Sequence, residues 1–379
     1  MQLSVVIAPD SFKGSLPAGE VAEAIAAGWA EVRPADAIAL LPQADGGEGT
    51  MAAIAAAATG ARLRDAGPVR GPDGRPVPGA WLELPGGIGV VELAQPSGLP
   101  LMAEPDPLGA TTAGLGEVIR NALGSGIRSL VIGLGGSAST DGAAGALSAL
   151  GLRLLDEAGR AIDAGGGGLA RLARIDASRL LPPPPGGVTV LTDVTAPLTG
   201  PEGAAARFGP QKGAAPEQVR LLDAALSRFA SLAGGDPGMP GSGAAGGAGY
   251  GFRTFWGAAI EPGAAFIAGI SGLRSAVETA DVVLTGEGRF DATSVRGKVV
   301  GELVRAASAH RVGLGIVAGQ LAATALDAAE AESRQPIWCF SLTEHCGSAE
   351  QAIARPRPAL REAGRAAARH FGEWVSRKA

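Results

Sequence analysis

The sequence predicts an α/β protein of two domains: a parallel-sheet domain built from both ends of the chain, and a mixed α/β domain inserted between them. Three observations predict it. Short apolar runs alternate with helical patterns at both ends, as in Ser4 to Ala8 before the Val21, Ile25, Trp29 stripe, and ADVVLTG before Lys298 to His310. The texture changes between about 66 and 282, where Pro and Gly become frequent and runs such as WLELP and GVVELA alternate. At 379 residues and 46% hydrophobic, the chain is long enough for two cores. The expected boundaries are 1–65 with 283–379 for the discontinuous domain and 66–282 for the insert.

The elements follow in order. Ser4 to Ala8 reads as a strand, PDSFKGSLPAGE as a loop with Ser15 and Pro17 as helix-start signals, and Val21, Ile25 and Trp29 as one face of a helix. Ala37 to Leu41 is a second strand, followed by PQADGGEGT and an Ala-rich helix stopped by Gly60. Inside the insert, a helix is expected around Leu115 to Leu123, then buried-type strands at Ser129 to Gly133 and Val188 to Leu191. Gly234 to Gly251 is Gly-rich and reads as a linker or a loop around a ligand. Leu314 to Ala318 and PIWCFSL are the last strands, and Glu350 to Ser376 a closing helix. Right-handed crossovers make the terminal domain a parallel sheet of Rossmann or flavodoxin-like type.

Composition excludes several functions. Net charge is −5, and no basic run precedes the C-terminal stretch from Arg355 to Lys378, which reads as the exposed face of the last helix. With aromatics at 4%, a nucleic-acid partner is not expected. Cys339 and Cys346 form no CxxC pair, so neither structural zinc nor a disulfide framework is expected, and the EHC triplet at Glu344 to Cys346 is isolated. The N-terminus enters a strand without a basic, then apolar, leader, and no apolar run is long enough for a membrane span, so a cytoplasmic protein without a membrane partner is expected.

Lysine carries the first hint of chemistry. Of 32 basic residues only four are lysine, and three of these stand beside glycine in turn-like segments: Lys13 in SFKGS, Lys212 in GPQKGA and Lys298 in VRGKV. Lysine is a compact point charge suited to a phosphate oxygen. Each polar motif also follows a short apolar strand directly, the position at which loops line the ligand crevice of an α/β sheet. These loops supply Asp10, Ser11 and Lys13; Asp45 and Glu48; Ser137, Ser139 and Asp141; Asp193; and Glu287, Arg289, Asp291 and Lys298. Gly135, Gly136 and Ser137, running into a helix, suit a phosphate cradle or an ordinary capped turn. No P-loop is present, because Ala292 and Val299 stand where that motif needs Gly and Ser or Thr, and GLGGSA and GEGRFD both lack the last glycine of a dinucleotide fingerprint. Carboxylates and cations in Gly-rich loops suit phosphoryl transfer, with Mg²⁺ held by one or two carboxylates and by phosphates.

Five motifs in order, IAPDSFKGSLPAGEVAEAI, PQADGGEGT, GLGGSASTDGAAGALSALG, LTDVTAPLTGPEGAAARFGPQKGA and LTGEGRFDATSVRGKV, resemble the bacterial glycerate kinase family over most of the chain. Thr140 and Ala143 depart from the family pattern, which has an Asn before the Asp and a further Gly after it, and Arg296 stands where the family tends to have a smaller residue or a His. The resemblance implies ATP- and Mg²⁺-dependent phosphorylation of D-glycerate, most often at the 2-hydroxyl, and two α/β domains with a cleft between them. It implies roles as well. Asp193, Lys13, Asp291 and Lys298 would be catalytic. Asp10, Ser11, Arg289, Gly135, Gly136, Ser137 and Lys212 would bind substrate or phosphate, and Asp193, Asp45 and Glu48 would bind the metal. A kinase of another small hydroxy acid, a 3-phosphoglycerate-forming enzyme and a non-catalytic nucleotide- or sugar-acid-binding regulator are the alternatives. Subunit number is left open, a homo-oligomer included.

Overall fold

The computed structural model describes residues 2–292, 294–295, 298–333 and 336–378. The chain divides into two compact units. The first comprises Met1–Asp45, Ala52–Thr59 and Pro262–Ala379, the second Gly46–Met51 and Gly60–Glu261.

In the first unit, β1 (Ser4–Ile7) pairs in parallel with β2 (Ala37–Leu40) on one side and, on the other, with a long strand from the C-terminal part of the chain. The numbering of the remaining strands follows the chain. The second unit holds β3 (Arg62–Arg70), β4 (Pro76–Leu84), β5 (Ile88–Glu92), β6 (Ser129–Gly133), β7 (Val188–Leu191) and β8 (Ala259–Glu261), and the first unit resumes with β9 (Val282–Phe290), β10 (Gly313–Leu321) and β11 (Trp338–Ser341). The first unit's sheet has the order β11-β10-β9-β1-β2, all parallel. Because the chain leaves β1 toward β2 and later returns beside β1 on its other side, a switch point lies between β1 and β9, where an open α/β sheet binds its ligand. Helix α1 (Ala18–Val32) buries Val21, Ile25 and Trp29, the predicted stripe. It packs on the closing helix α3 (Pro356–Lys378), with α2 (Thr50–Ala57) between them in sequence. Gly28 and Gly364 permit this approach. A Cβ on Gly28 would lie 1.8 Å from the Arg361 carbonyl oxygen, and one on Gly364 would lie 2.1 Å from that of Ile25. Gly364→Ala is therefore expected to destabilise the protein by about 1–3 kcal/mol through overpacking, read as a lower urea midpoint.

The second unit's sheet has the order β8-β7-β6-β5-β4-β3. Strands β5 to β8 are parallel, and β3, β4 and β5 are antiparallel neighbours, which accounts for the alternating runs WLELP and GVVELA. Trp81, Leu115, Ile119, Ile132, Val190 and Phe229 share its core. The Gly-rich segment from Gly234 to Gly251 is not a free linker. Gly246 and Gly247, with φ of +67° and +93°, let the chain wedge against the 139–142 segment, where a Cβ on Gly246 would lie 2.2 Å from the Ser139 carbonyl oxygen. The return to the first unit comes at Pro262, earlier than the expected 283, because helices at Gly263–Ile270 and Leu273–Glu278 pack with Val299–His310 of the first unit.

Candidate active site

In the first unit, the loop after β1 and the end of β9 meet in a pocket of about 370 Å³ lined by Asp10, Ser11, Lys13, Asp45, Glu287, Arg289, Asp291 and Lys298, with Phe12, Leu342 and Ile353 as apolar wall. This is the switch point of the sheet. Asp10 accepts a hydrogen bond from the backbone N–H of Ser11, and Lys13 Nζ lies 3.7 Å from Asp45 Oδ2. Arg289 stands 3.7 Å from Asp291. Asp10 is pushed up to about 7, first by burial and then by the charge of Asp45. Glu287 is likewise raised to about 7, chiefly by burial, with Asp291 and Asp45 adding to it against the opposing pull of Ser294 and Lys298. Among the described residues its Oε1 is buried without a hydrogen-bond partner. The sequence places Glu287 among the loop residues without a role; strand position alone does not reveal that it is, with Asp10, one of the two buried carboxylates of the pocket. Arg296 and Gly297, which precede Lys298, lie outside the described residues.

In the second unit, β6 runs into Gly135, Gly136 and Ser137. Gly136 takes φ +63°, and a Cβ on Gly135 would stand 2.3 Å from Gly47 Cα, so both positions require glycine. Ser139 and Asp141 are fully buried. Asp141 accepts from the N–H and hydroxyl of Thr112 and the N–H of Gly145, so it holds the loop to neighbouring helix starts rather than facing a ligand. Thr140, the departure from the family pattern, is buried beside it, and Ala143 sits at φ +63°, a conformation the glycine expected there would adopt without strain. Lys212 is buried, and its ammonium donates to Ser137 Oγ at 2.8 Å and to the Ser139 carbonyl oxygen. Burial lowers it to about 7, opposed by Asp141. Asp193, half-buried, follows β7.

The expected metal ligands Asp45, Glu48 and Asp193 are divided between the two units. Among the described residues no three His, Cys, Asp or Glu side chains are placed to hold a metal ion. Asp45 belongs to the first unit and the other two to the second, and Glu48 is exposed. The loop before α2 is instead organised by Glu92, which sequence reading missed. It accepts from the N–H groups of Gly49 and Met51, and is raised by burial and by Glu48. The donor chemistry still suits magnesium, which keeps several waters and needs only one or two carboxylates beside phosphate oxygens. Asp10 and Glu287, both raised chiefly by burial, are such carboxylates. Among the described residues no helix is long and apolar enough to cross a membrane. Cys339, raised to about 12 by burial, is no nucleophile.

A pocket of carboxylates and cations at a parallel-sheet switch point is that of a phosphotransferase-like α/β protein. Residues 5–372 match the model of the glycerate kinase family. The chain is 42% identical over 331 residues to the glycerate kinase of Bacillus subtilis, covering 84% of this chain and 85% of that protein. It is 43% identical over 329 residues to the glycerate 2-kinase of Escherichia coli, covering 84% and 86%. The crystal structure titled "putative glycerate kinase 2" from Salmonella typhimurium LT2 superposes with a TM-score of 0.81 at 38% identity, over 99% of this chain and 100% of that one. The chain belongs to the glycerate kinase family, and it is a kinase.

Proposed function

We propose that this enzyme transfers the γ-phosphoryl group of ATP to D-glycerate at the 2-hydroxyl, with Mg²⁺, giving 2-phosphoglycerate and ADP. The observation that carries the reading is the first-unit pocket, where Lys13, Arg289 and Lys298 stand among Asp10, Asp45, Glu287 and Asp291. Lys13 and Ser11 bind a carboxylate or phosphate. Lys298 and Arg289 stabilise charge on the transferred group, with Asp291 and Asp45 completing the shell of metal or substrate. Magnesium, when bound, neutralises phosphate charge and orients the transferred group. In the second unit, the 135–137 backbone binds nucleotide phosphates and Asp193 serves as metal ligand or as base on the 2-hydroxyl. The family match and the E. coli glycerate 2-kinase support the substrate and the position. The charges in the pocket favour catalysis over a regulator on the same scaffold, since a binding module has no need of both cations and metal-binding carboxylates. A cytoplasmic location is part of the same proposal.

The test is phosphorus NMR of the protein with D-glycerate, ATP and Mg²⁺ beside a control without glycerate. A glycerate-dependent phosphomonoester is expected as a doublet, from its single C2 proton; a triplet would mean attachment at C3, and no new signal would overturn the activity. Lys13→Ala is expected to lower kcat/KM for glycerate about tenfold or more, the loss of one charge-assisted bond, checked by steady-state kinetics.

A further inference from the structure

We propose that Lys212 is a positioning residue that acts through Ser137: it fixes the Ser137 hydroxyl as a committed donor to a phosphoryl oxygen of the nucleotide. The inference rests on reading the 135–137 loop as a nucleotide-phosphate site.

Lys212 itself is only 3% exposed, so it cannot lie against a ligand as a free cation would. Its place is fixed from its own side: Lys212 ends a short turn at Pro210–Lys212, and the next residue, Gly213, takes φ +89° against Pro105, which a Cβ would approach to 2.6 Å. Its ammonium donates to Ser137 Oγ at 2.8 Å and to the Ser139 carbonyl oxygen, pinning both ends of the 137–139 turn. The far side of that turn is wedged by Gly246. Burial of the charge is offset in part by Asp141.

The chemistry follows from the inventory of donors. In its charged form Lys212 has three N–H donors and no lone pair, so in that form it donates to Ser137 Oγ and the Ser139 carbonyl oxygen and cannot accept the serine proton. One lone pair of Ser137 Oγ is occupied by Lys212, and its single O–H must point elsewhere. Ser137 is 7% exposed and directly follows the exposed Gly136, so its free donor lies at the outer edge of the loop, where an anion held by the glycine N–H groups would sit. Serine with its proton already committed outward loses no orientational freedom when the anion arrives.

A double-mutant cycle on the nucleotide KM and on ADP affinity by calorimetry tests this. Ser137→Ala and Lys212→Met are each expected to weaken nucleotide binding about tenfold, with glycerate KM little changed, and the double variant to be no weaker than either single one. Additive losses would overturn the proposal, because Lys212 would then contact the ligand by a route independent of Ser137. Should Lys212→Met fail to fold, judged by its melting curve, Ser137→Ala decides alone: unchanged nucleotide affinity overturns the proposal. Gly136→Ala separates that failure from failure of the loop reading. If Gly136→Ala weakens nucleotide while Ser137→Ala does not, the loop binds nucleotide without the Lys212–Ser137 pair; if neither affects nucleotide, both the loop reading and the proposal fall.

Discussion

Asp193→Asn is expected to lower kcat about a thousandfold while the protein melts near its normal temperature. The substitution keeps size and shape in a half-buried loop position after β7 and removes only the charge and the basic oxygen. General-base catalysis is worth about 10²–10⁴-fold, and a metal ligand lost from a magnesium site has an effect of similar size. The two roles separate by experiment. If Asp193 holds the metal, the apparent Mg²⁺ requirement of the variant rises and excess metal recovers part of the rate. If it takes the proton of the 2-hydroxyl, metal dependence is unchanged and the acidic limb of the kcat profile disappears. Near wild-type turnover by a folded variant would remove Asp193 from the mechanism.

The sequence made the terminal sheet legible because its signals are local. A short apolar strand, a polar loop and a helix with one apolar stripe fix β1, α1 and the face that Val21, Ile25 and Trp29 bury. The loops after strands could be located for the same reason, since an α/β sheet places its ligand there whatever the ligand. Contacts between distant segments were not legible. Nothing local in GVVELA shows that Glu92 will organise the loop at Gly49, forty-odd residues away, or that Lys212 will reach Ser137 across 75 residues. Nor does sequence spacing separate Asp45 from Glu48, three residues apart, into different units. Of the two readings of the Gly-rich run at 234–251, the linker fails for a related reason: low complexity there reflects close backbone packing against Ser139, which needs glycine, and not freedom.

Glu287→Gln is expected to cut activity about a hundredfold and at the same time to raise the stability of the ligand-free protein at pH 8, with little effect at pH 5. The sign follows from the direction of the shift. Glu287 is raised from 4.5 to about 7 in the folded state, so the folded protein holds its proton more tightly than the unfolded chain does. Stability from this group is complete below pH 4.5 and is lost as pH rises through about 7. Asp10, raised from 3.8 to about 7, adds a loss in the same window. A glutamine in place of Glu287 keeps the hydrogen bond to Ser294 available and removes the buried charge, which relieves both Glu287 and, through lessened repulsion, Asp10. Melting curves of wild type and variant between pH 5 and 8 check it: the two should converge at pH 5 and separate as pH rises, the variant melting higher. The same charge that costs stability in the ligand-free protein is what a bound magnesium ion would meet, so the loss of activity and the gain in stability have one cause. Added Mg²⁺ should therefore raise the wild-type melting temperature at pH 8 more than that of the variant. Parallel curves at every pH would show that Glu287 ionises as it does in the unfolded chain, and would detach the pocket's charge from its function.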